Sequence, residues 1–297
     1  MNAKTRAELL LLSMTLIWGS TFAAVKIVMR EIPAVQLIAV RFTLAALVLL
    51  VLFRGRIFPL TMSQIVKGSV LGLFLFFGFV AQNFGLLSTT ASKSAFITAL
   101  MVVVVPLLQF AIEHRAPKLG NVLGVIVVVG GLWFLTSPAG SSFNIGDALT
   151  LLCAVLFGVY IVYLDVVSGD MSAVQLTFLQ VASMAVYSVA CSAAFEPWKT
   201  SYSTGLVLSL VYLSIFATLI TTYVQTRFQK ETTPTRAVII FTIEPVFASI
   251  IAYFLLGEQI GALGILGGAL ILAGVLLSEL SDAIPFLNKA LDPQEGA

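Results

Sequence analysis

Thr218, Thr221, Thr222 and Gln225 stand at i, i+3, i+4 and i+7 in an otherwise apolar stretch. That spacing puts all four on one face of an α-helix. Hydroxyls and a primary amide both donate and accept hydrogen bonds, so one reading is the wall of a pathway for a polar solute. The other is hydrogen bonding between helices, which in a bilayer contributes about 0.6 kcal/mol per contact. Gln82 and Asn83, adjacent in another apolar run, divide between the same two readings. As pathway residues their amides would suit an amino-acid zwitterion or another polar metabolite. Thr21 lies in the outer half of the first run, and Trp18 and Tyr160 lie too deep in theirs to be comfortable interface anchors. There they can wall a cavity and hold an apolar or aromatic part of a solute.

Two charged residues fall inside apolar runs, where ionisable groups face the interior of a bundle or a wet cavity. Glu244 precedes Pro245; the proline removes a backbone donor, frees the carbonyl of Phe241 and locally opens the helix. A carboxylate there could carry a proton coupled to transport, or make a structural hydrogen bond or ion pair at a kink. Arg41 sits mid-run, at an insertion cost of about 2.5–3.5 kcal/mol. It calls for an acidic side chain, helix-end carbonyls or an anionic group of a solute. Lys26 and Lys93, nearer the ends of their runs, can snorkel to the headgroups. No HExxH, nucleophile elbow, close His–carboxylate pair or Walker A sequence is present. An enzyme, a resident cofactor, a metal centre (His114 is the lone histidine) and an ATP-driven pump are therefore not expected.

The elements that must position these residues follow from composition. Of 297 residues 59% are hydrophobic and 10% charged, with mean hydropathy +1.06. Soluble domains are about 45–50% apolar and about 25% charged, so a soluble globular protein and a disordered one are both excluded. A net charge of +2, scattered, argues against nucleic acid. Cys153 and Cys191 lie in apolar runs at a spacing that suggests no disulfide. The basic N-terminus imitates a signal peptide, yet its apolar run continues to about Val28, long enough to span. The runs lack the alternation of a β-barrel.

Charge, proline and glycine clusters divide the chain into ten spans centred near Leu16, Leu44, Phe76, Val102, Val127, Val155, Ala185, Val211, Ser249 and Leu270. Polar residues interrupt the sixth and seventh. With the N-terminus cytoplasmic, eleven of the 16 Lys and Arg fall on the inner side and four outside. The positive-inside rule therefore puts both termini in the cytoplasm.

The chain is also written twice. Ala34-Val35-Gln36-Leu37 recurs 139 residues on as Ala173-Val174-Gln175-Leu176, and the same offset relates Glu8 to Asp147, Trp18 to Phe157, Gly19 to Gly158 and Arg41 to Gln180. Later the offset is 143: Gln82 meets Gln225, Lys93 meets Arg236, Gly124 meets Gly267 and Gly131 meets Gly274. Five spans per half is odd, so the second copy enters the membrane from the opposite face. The expected fold is an all-α polytopic membrane protein of ten transmembrane helices, built as two inverted five-helix repeats, residues 1–140 and 141–297. Such repeats are shared by many secondary transporters. The GxxxG pairs Gly120/Gly124 and Gly264/Gly268 let helices approach closely, within one chain by default, or in a homodimer.

The sequence resembles the EamA-type branch of the drug/metabolite transporter superfamily. The resemblance is carried by Trp18-Gly19-Ser20-Thr21-Phe22 with Lys26, Arg41-Phe42, Ser92 to Ala99 leading to Pro106-Leu107, Glu244-Pro245-Val246-Phe247-Ala248, Leu256-Gly257-Glu258-Gln259, and the glycines closing each half. One departure is Glu113-His114-Arg115 in place of a Gly-Glu-Arg turn. The resemblance implies a bacterial inner-membrane carrier with a small-molecule substrate, usually exporting amino acids or other small metabolites. It also implies a cavity lined by spans one, three, four, six, eight and nine. An importer or drug exporter of the same fold, or a passive channel, are the alternatives.

Overall fold

The computed structural model describes residues 3–113, 119–136 and 143–280, and every regular element among them is a helix. The turn at His114-Arg115, Lys118, the break at Ser137 and the tail with Pro285, Lys289 and Pro293 lie outside the described residues. Spans one to three are single helices, α1 (Ala3–Val28), α2 (Ala34–Ile57) and α3 (Met62–Ser88). Span four divides into α4 (Ala91–Thr98) and α5 (Met101–Glu113), and span five is α6 (Leu119–Thr136). Spans six and seven are α7 (Ile145–Val167) and α8 (Ala173–Phe195), both unbroken despite their polar residues. Span eight runs through α9 (Thr204–Ser214), a π-helical segment (Ile215–Ile220) and α10 (Thr221–Phe228). Span nine divides into α11 (Pro234–Phe241) and α12 (Glu244–Leu256), and span ten is α13 (Ala262–Leu280).

Eight of these spans are long and apolar enough to cross a membrane; the apolar stretches in α6 and α13 are shorter, Val122–Gly131 and Ala262–Gly274. Helix starts are fixed locally. Thr61 with Gln64, Asn144 with Asp147 and Ser172 with Gln175 each form a reciprocal capping box, which satisfies backbone donors that have no partner in the first turn. Large apolar side chains such as Val51, Phe195 and Phe254 face outward, while Arg41, Thr150, Gln180 and Ser188 are buried. A solvent of hydrocarbon demands that distribution, because polar groups can find partners only inside.

Two spans are interrupted at mid-depth. In span nine the helix breaks at Thr242-Ile243, where Pro245 leaves the carbonyl of Phe241 without its usual donor. In span four the break falls at Ala99-Leu100, well before the proline of that half, Pro106. There the backbone tightens to i→i+3 bonds, Leu100 N–H donating to Ile97 O at 3.1 Å and Val103 N–H to Leu100 O at 2.9 Å. The ends of the two breaks, Thr98 and Met101, and Phe241 and Glu244, are related by the offset of 143.

Packing brings α6 against α13, α2 against α8, and α3 against α7 and α8, with α1 against α12 and α10, and α4 and α5 against α7. Glycines allow the closest approaches, and these are reciprocal. A Cβ on Gly131 would stand 2.7 Å from Gly267 O, and one on Gly274 2.7 Å from Gly124 O. A Cβ on Gly19 would meet Phe247 Cβ at 2.8 Å, and one on Gly158 would meet Val104 Cγ1 at 2.8 Å. Gly131, Gly268 and Gly274 are thus spent on contacts within one chain. Gly274→Val pushes two methyl groups into a backbone and should cost about 1–3 kcal/mol. The expected result is a lower thermal unfolding midpoint in detergent, against little change for Gly130→Val, where a Cβ meets nothing within 4 Å.

Candidate functional site

A cavity of about 70 Å³ lies among seven spans, walled by both halves of the chain. At about 10–15 Å³ per water it holds a handful of water molecules or one compact solute. Trp18, Thr21, Gln82, Tyr160, Thr218, Thr222, Gln225, Arg41 and Glu244 all line it. Asn83 and Thr221 do not. Asn83 turns its amide toward α2, Nδ2 donating to Ala34 O at 3.1 Å, and leaves Oδ1 without a partner. Thr221 Oγ1 donates to Ala217 O at 2.9 Å on its own helix. The reason is the π-helical segment preceding Thr221: Thr218 Oγ1 reaches back five residues to Leu213 O at 2.8 Å. A widened turn breaks the 3.6-residue register on which the four-residue stripe was read.

The same widened turn holds Arg41. Its Nε donates to Thr218 Oγ1 at 2.5 Å and one Nη to Ala217 O at 2.9 Å. The guanidinium lies over the rings of Phe79 and Phe42, 5.0 and 5.4 Å from their centroids. Of the three kinds of acceptor expected for Arg41 a helix carbonyl is found, joined by a hydroxyl that was not expected, and among the described residues no carboxylate pairs with it. The family resemblance left span two out of the cavity wall, but Arg41 and Phe42 put it there.

Tyr160 ties three spans together. Its hydroxyl donates to Gln180 Oε1 at 2.9 Å and lies 3.5 Å from Gln225 Oε1. Gln180 Nε2 donates to Thr226 Oγ1 at 2.8 Å, and Gln225 Nε2 to Gln229 Oε1 at 3.0 Å. Gln225 is therefore partly committed to the frame of the site. Its counterpart Gln82 is not: its amide makes no hydrogen bond among the described residues and faces the cavity. Trp18 packs edge-on against Phe241 at 5.2 Å, and Thr21 Oγ1 donates to Trp18 O at 2.7 Å.

Glu244 opens α12 at the break in span nine. It is buried, lines the cavity, and has no hydrogen bond or ion pair among the described residues. The rings of Phe42, Phe79 and Phe157 form an apolar wall of successive T-shaped contacts, 5.3 and 5.2 Å apart. Apolar residues everywhere in the chain hid these rings from a sequence reading. The available signals were Phe42 within the Arg41-Phe42 motif and the alignment of Phe157 with Trp18 across the repeat.

Two expectations away from the cavity are corrected. Lys93 does not snorkel: it is buried against Asp147, Nζ to Oδ2 at 2.6 Å, and Asp147 also accepts from Thr89 Oγ1 at 2.7 Å. Lys26 donates to Thr89 O at 2.6 Å and pairs with Glu258 at 3.4 Å, while Glu258 accepts from the N–H groups of Ala91 and Ser92. Protein acceptors, a carboxylate for each and the Thr89 carbonyl for Lys26, take up both ammonium groups. At the opposite ends of the helices Arg236 pairs with Glu8 at 3.4 Å, with both side chains about one third exposed. Cys153 and Cys191 are free thiols, and no cluster of metal-ligating side chains occurs among the described residues.

A helical bundle that turns apolar faces outward and encloses a partly polar cavity at mid-depth is a multi-pass membrane protein with room for a small solute. Comparison with known proteins makes the class explicit, since family and relatives alike are transporters and not enzymes. The EamA-like transporter family model matches twice, over residues 5–137 and 144–280, and the chain belongs to that family. An Archaeoglobus fulgidus protein named as an uncharacterized transporter is 32% identical over 275 residues, covering 92% of this chain and 86% of its own. The uncharacterized inner membrane transporter YedA of Escherichia coli K12 is 24% identical, covering 90% of this chain and 89% of its own. A crystal structure with 19% sequence identity superposes with a TM-score of 0.73 over 93% of this chain and 97% of its own, a likeness of fold.

Proposed function

We propose that this membrane transporter exports amino acids or similar small metabolites by alternating access, its two inverted halves, residues 1–140 and 141–297, rocking about the central cavity. The observation that carries the reading is reciprocity. Contacts on one side of the cavity recur on the other at the repeat offsets: Gly131 on Gly267 and Gly274 on Gly124, Gly158 on Val104 and Gly19 on Phe247. The ion pairs follow the same rule, Lys93 with Asp147 toward one face and Arg236 with Glu8 toward the other. One is short and buried, the other longer and more exposed. That inequality supports two near-equivalent arrangements of one pattern, in which the tight and loose faces exchange.

The size of the cavity favours compact metabolites over bulky drugs. The name of the Escherichia coli relative supports placement in an inner membrane, and the Lys and Arg distribution supports cytoplasmic termini. The test is the extracellular metabolite profile of cells overexpressing the chain, beside cells with equal amounts of a Gln82→Ala/Gln225→Ala variant. The expected result is one compound class accumulating outside for the parent alone. Identical profiles for parent, variant and empty cells would count against export.

A further inference from the structure

Resting on the transport reading, we propose that the π-helical turn of span eight is the hinge of the cycle, the stretch before it moving with the first half of the chain and the stretch after it with the second. The two halves differ here by one residue. In the first, the capping residues that open spans three and four are Thr61 and Thr90; in the second, those that open spans eight and nine are Ser203 and Thr233. The second interval is one residue longer. From Thr218 onward the register agrees again: Thr218, Thr222 and Gln225 stand 143 positions after Leu75, Phe79 and Gln82, and all six line the cavity. The extra residue is absorbed in Ile215–Ile220, where it widens the helix to i→i+5 bonding. Span three, without it, is the unbroken helix α3.

Hydrogen bonds divide span eight at the same place. Up to and within the turn they run to the first half: Ser203 Oγ donates to Glu31 Oε1 at 3.1 Å, the hydroxyls of Tyr212 and Ser20 bond at 2.6 Å, and Arg41 donates to Thr218 Oγ1 and Ala217 O. Beyond it they run to the second half. Tyr160 donates to Gln225 Oε1, Gln180 to Thr226 Oγ1, and Gln229 Nε2 to Ile161 O at 2.9 Å. A helix tied at its two ends to bodies that move against each other must bend between them, and a π turn is a place where helices kink. Span three has no such slack: a Cβ on Gly72 would stand 2.8 Å from Gln180 O, so α3 is seated directly on α8 and follows it as a rod. Bending at the turn re-aims Thr222 and Gln225 relative to Arg41 across the cavity they share.

The experiment measures spin-label distances by double electron–electron resonance on the full chain in lipid nanodiscs, in a background of Cys153→Ser and Cys191→Ser. Labels at Leu208→Cys and Tyr223→Cys, both exposed, straddle the turn, and labels at Val66→Cys and Phe84→Cys report on α3. Span eight should show two distances and α3 one. Deletion of Phe216, whose ring is exposed, should reduce span eight to a single distance. It should leave the unfolding midpoint near the parent's, because α3 is the same span without the extra residue. Export in the metabolite assay should nevertheless fall about tenfold or more. A single span-eight distance in the parent, two distances that survive the deletion, or parental export by the deletion variant overturns the hinge. Should that variant not fold, the parental distances decide alone. If the parent exports with a single span-eight distance, transport stands and the hinge falls. If span eight shows two distances and the parent exports nothing, the bending stands and the transport reading falls.

Discussion

Asp147→Asn should destabilise the protein by about 3–5 kcal/mol, the cost of leaving one member of a buried ion pair without its partner. Asp147 is fully buried and collects the ammonium of Lys93 at 2.6 Å, the hydroxyl of Thr89 at 2.7 Å and the backbone N–H of Asn144 at 2.9 Å. Asparagine keeps the shape and the cap but not the charge, so the Lys93 ammonium, itself buried, is stranded. Thermal unfolding in detergent reads the effect as a large fall in midpoint. Lys93→Met/Asp147→Asn should recover most of it, because asparagine keeps the cap and no ammonium is then left without its counter-charge. Glu8→Gln, at the counterpart pair, should cost less than about 1 kcal/mol, since solvent already screens that pair. A small effect at Asp147, or an equal one at Glu8, would contradict the asymmetry between the two faces.

Arg41→Met should separate stability from function. The acceptors that hold Arg41 do not depend on it: Thr221 Oγ1 also donates to Ala217 O, and Thr218 Oγ1 is anchored on Leu213 O. Methionine therefore removes a buried charge without orphaning its partners, and the unfolding midpoint should hold or rise. On the transport reading, transport should fall about 30-fold or more, because the lost cation lines the cavity through which the solute would pass. Arg41→Lys should not rescue it: an ammonium cannot reproduce the planar fork that bonds span eight while lying over Phe42 and Phe79. Wild-type transport rates in Arg41→Met would remove Arg41 from the solute's path.

Much of this architecture was legible because a bilayer leaves few choices. Runs of apolar residues with charge at their ends had to become spans, and polar residues inside them had to face inward, which located Trp18, Thr21, Gln82, Tyr160, Thr218, Thr222 and Gln225 beside the cavity. What failed to show was local backbone geometry and long-range partnership. Thr221 belongs to the stripe only if span eight keeps 3.6 residues per turn, and the π-helical segment at Ile215–Ile220 removes that premise. Asn83 is one residue, and so about 100°, around the helix from Gln82, which turns it to α2 instead. Pro245 announced the break in span nine, whereas the break at Ala99-Leu100 precedes Pro106 and has no residue to mark it. Lys93 near the end of an apolar run gives no sign of a carboxylate 54 positions away. Only the repeat hinted at it, by setting Lys93 against Arg236 and Asp147 against Glu8.

The central claim, that the chain carries a solute between two faces by exchanging two arrangements, meets its most direct test in proteoliposomes. Vesicles containing the purified chain are loaded with the unlabelled compound that overexpressing cells export, and entry of its labelled form is followed over time. A carrier predicts saturable entry that is accelerated by the internal load. Entry that neither saturates nor responds to the internal load would describe a channel and contradict the account.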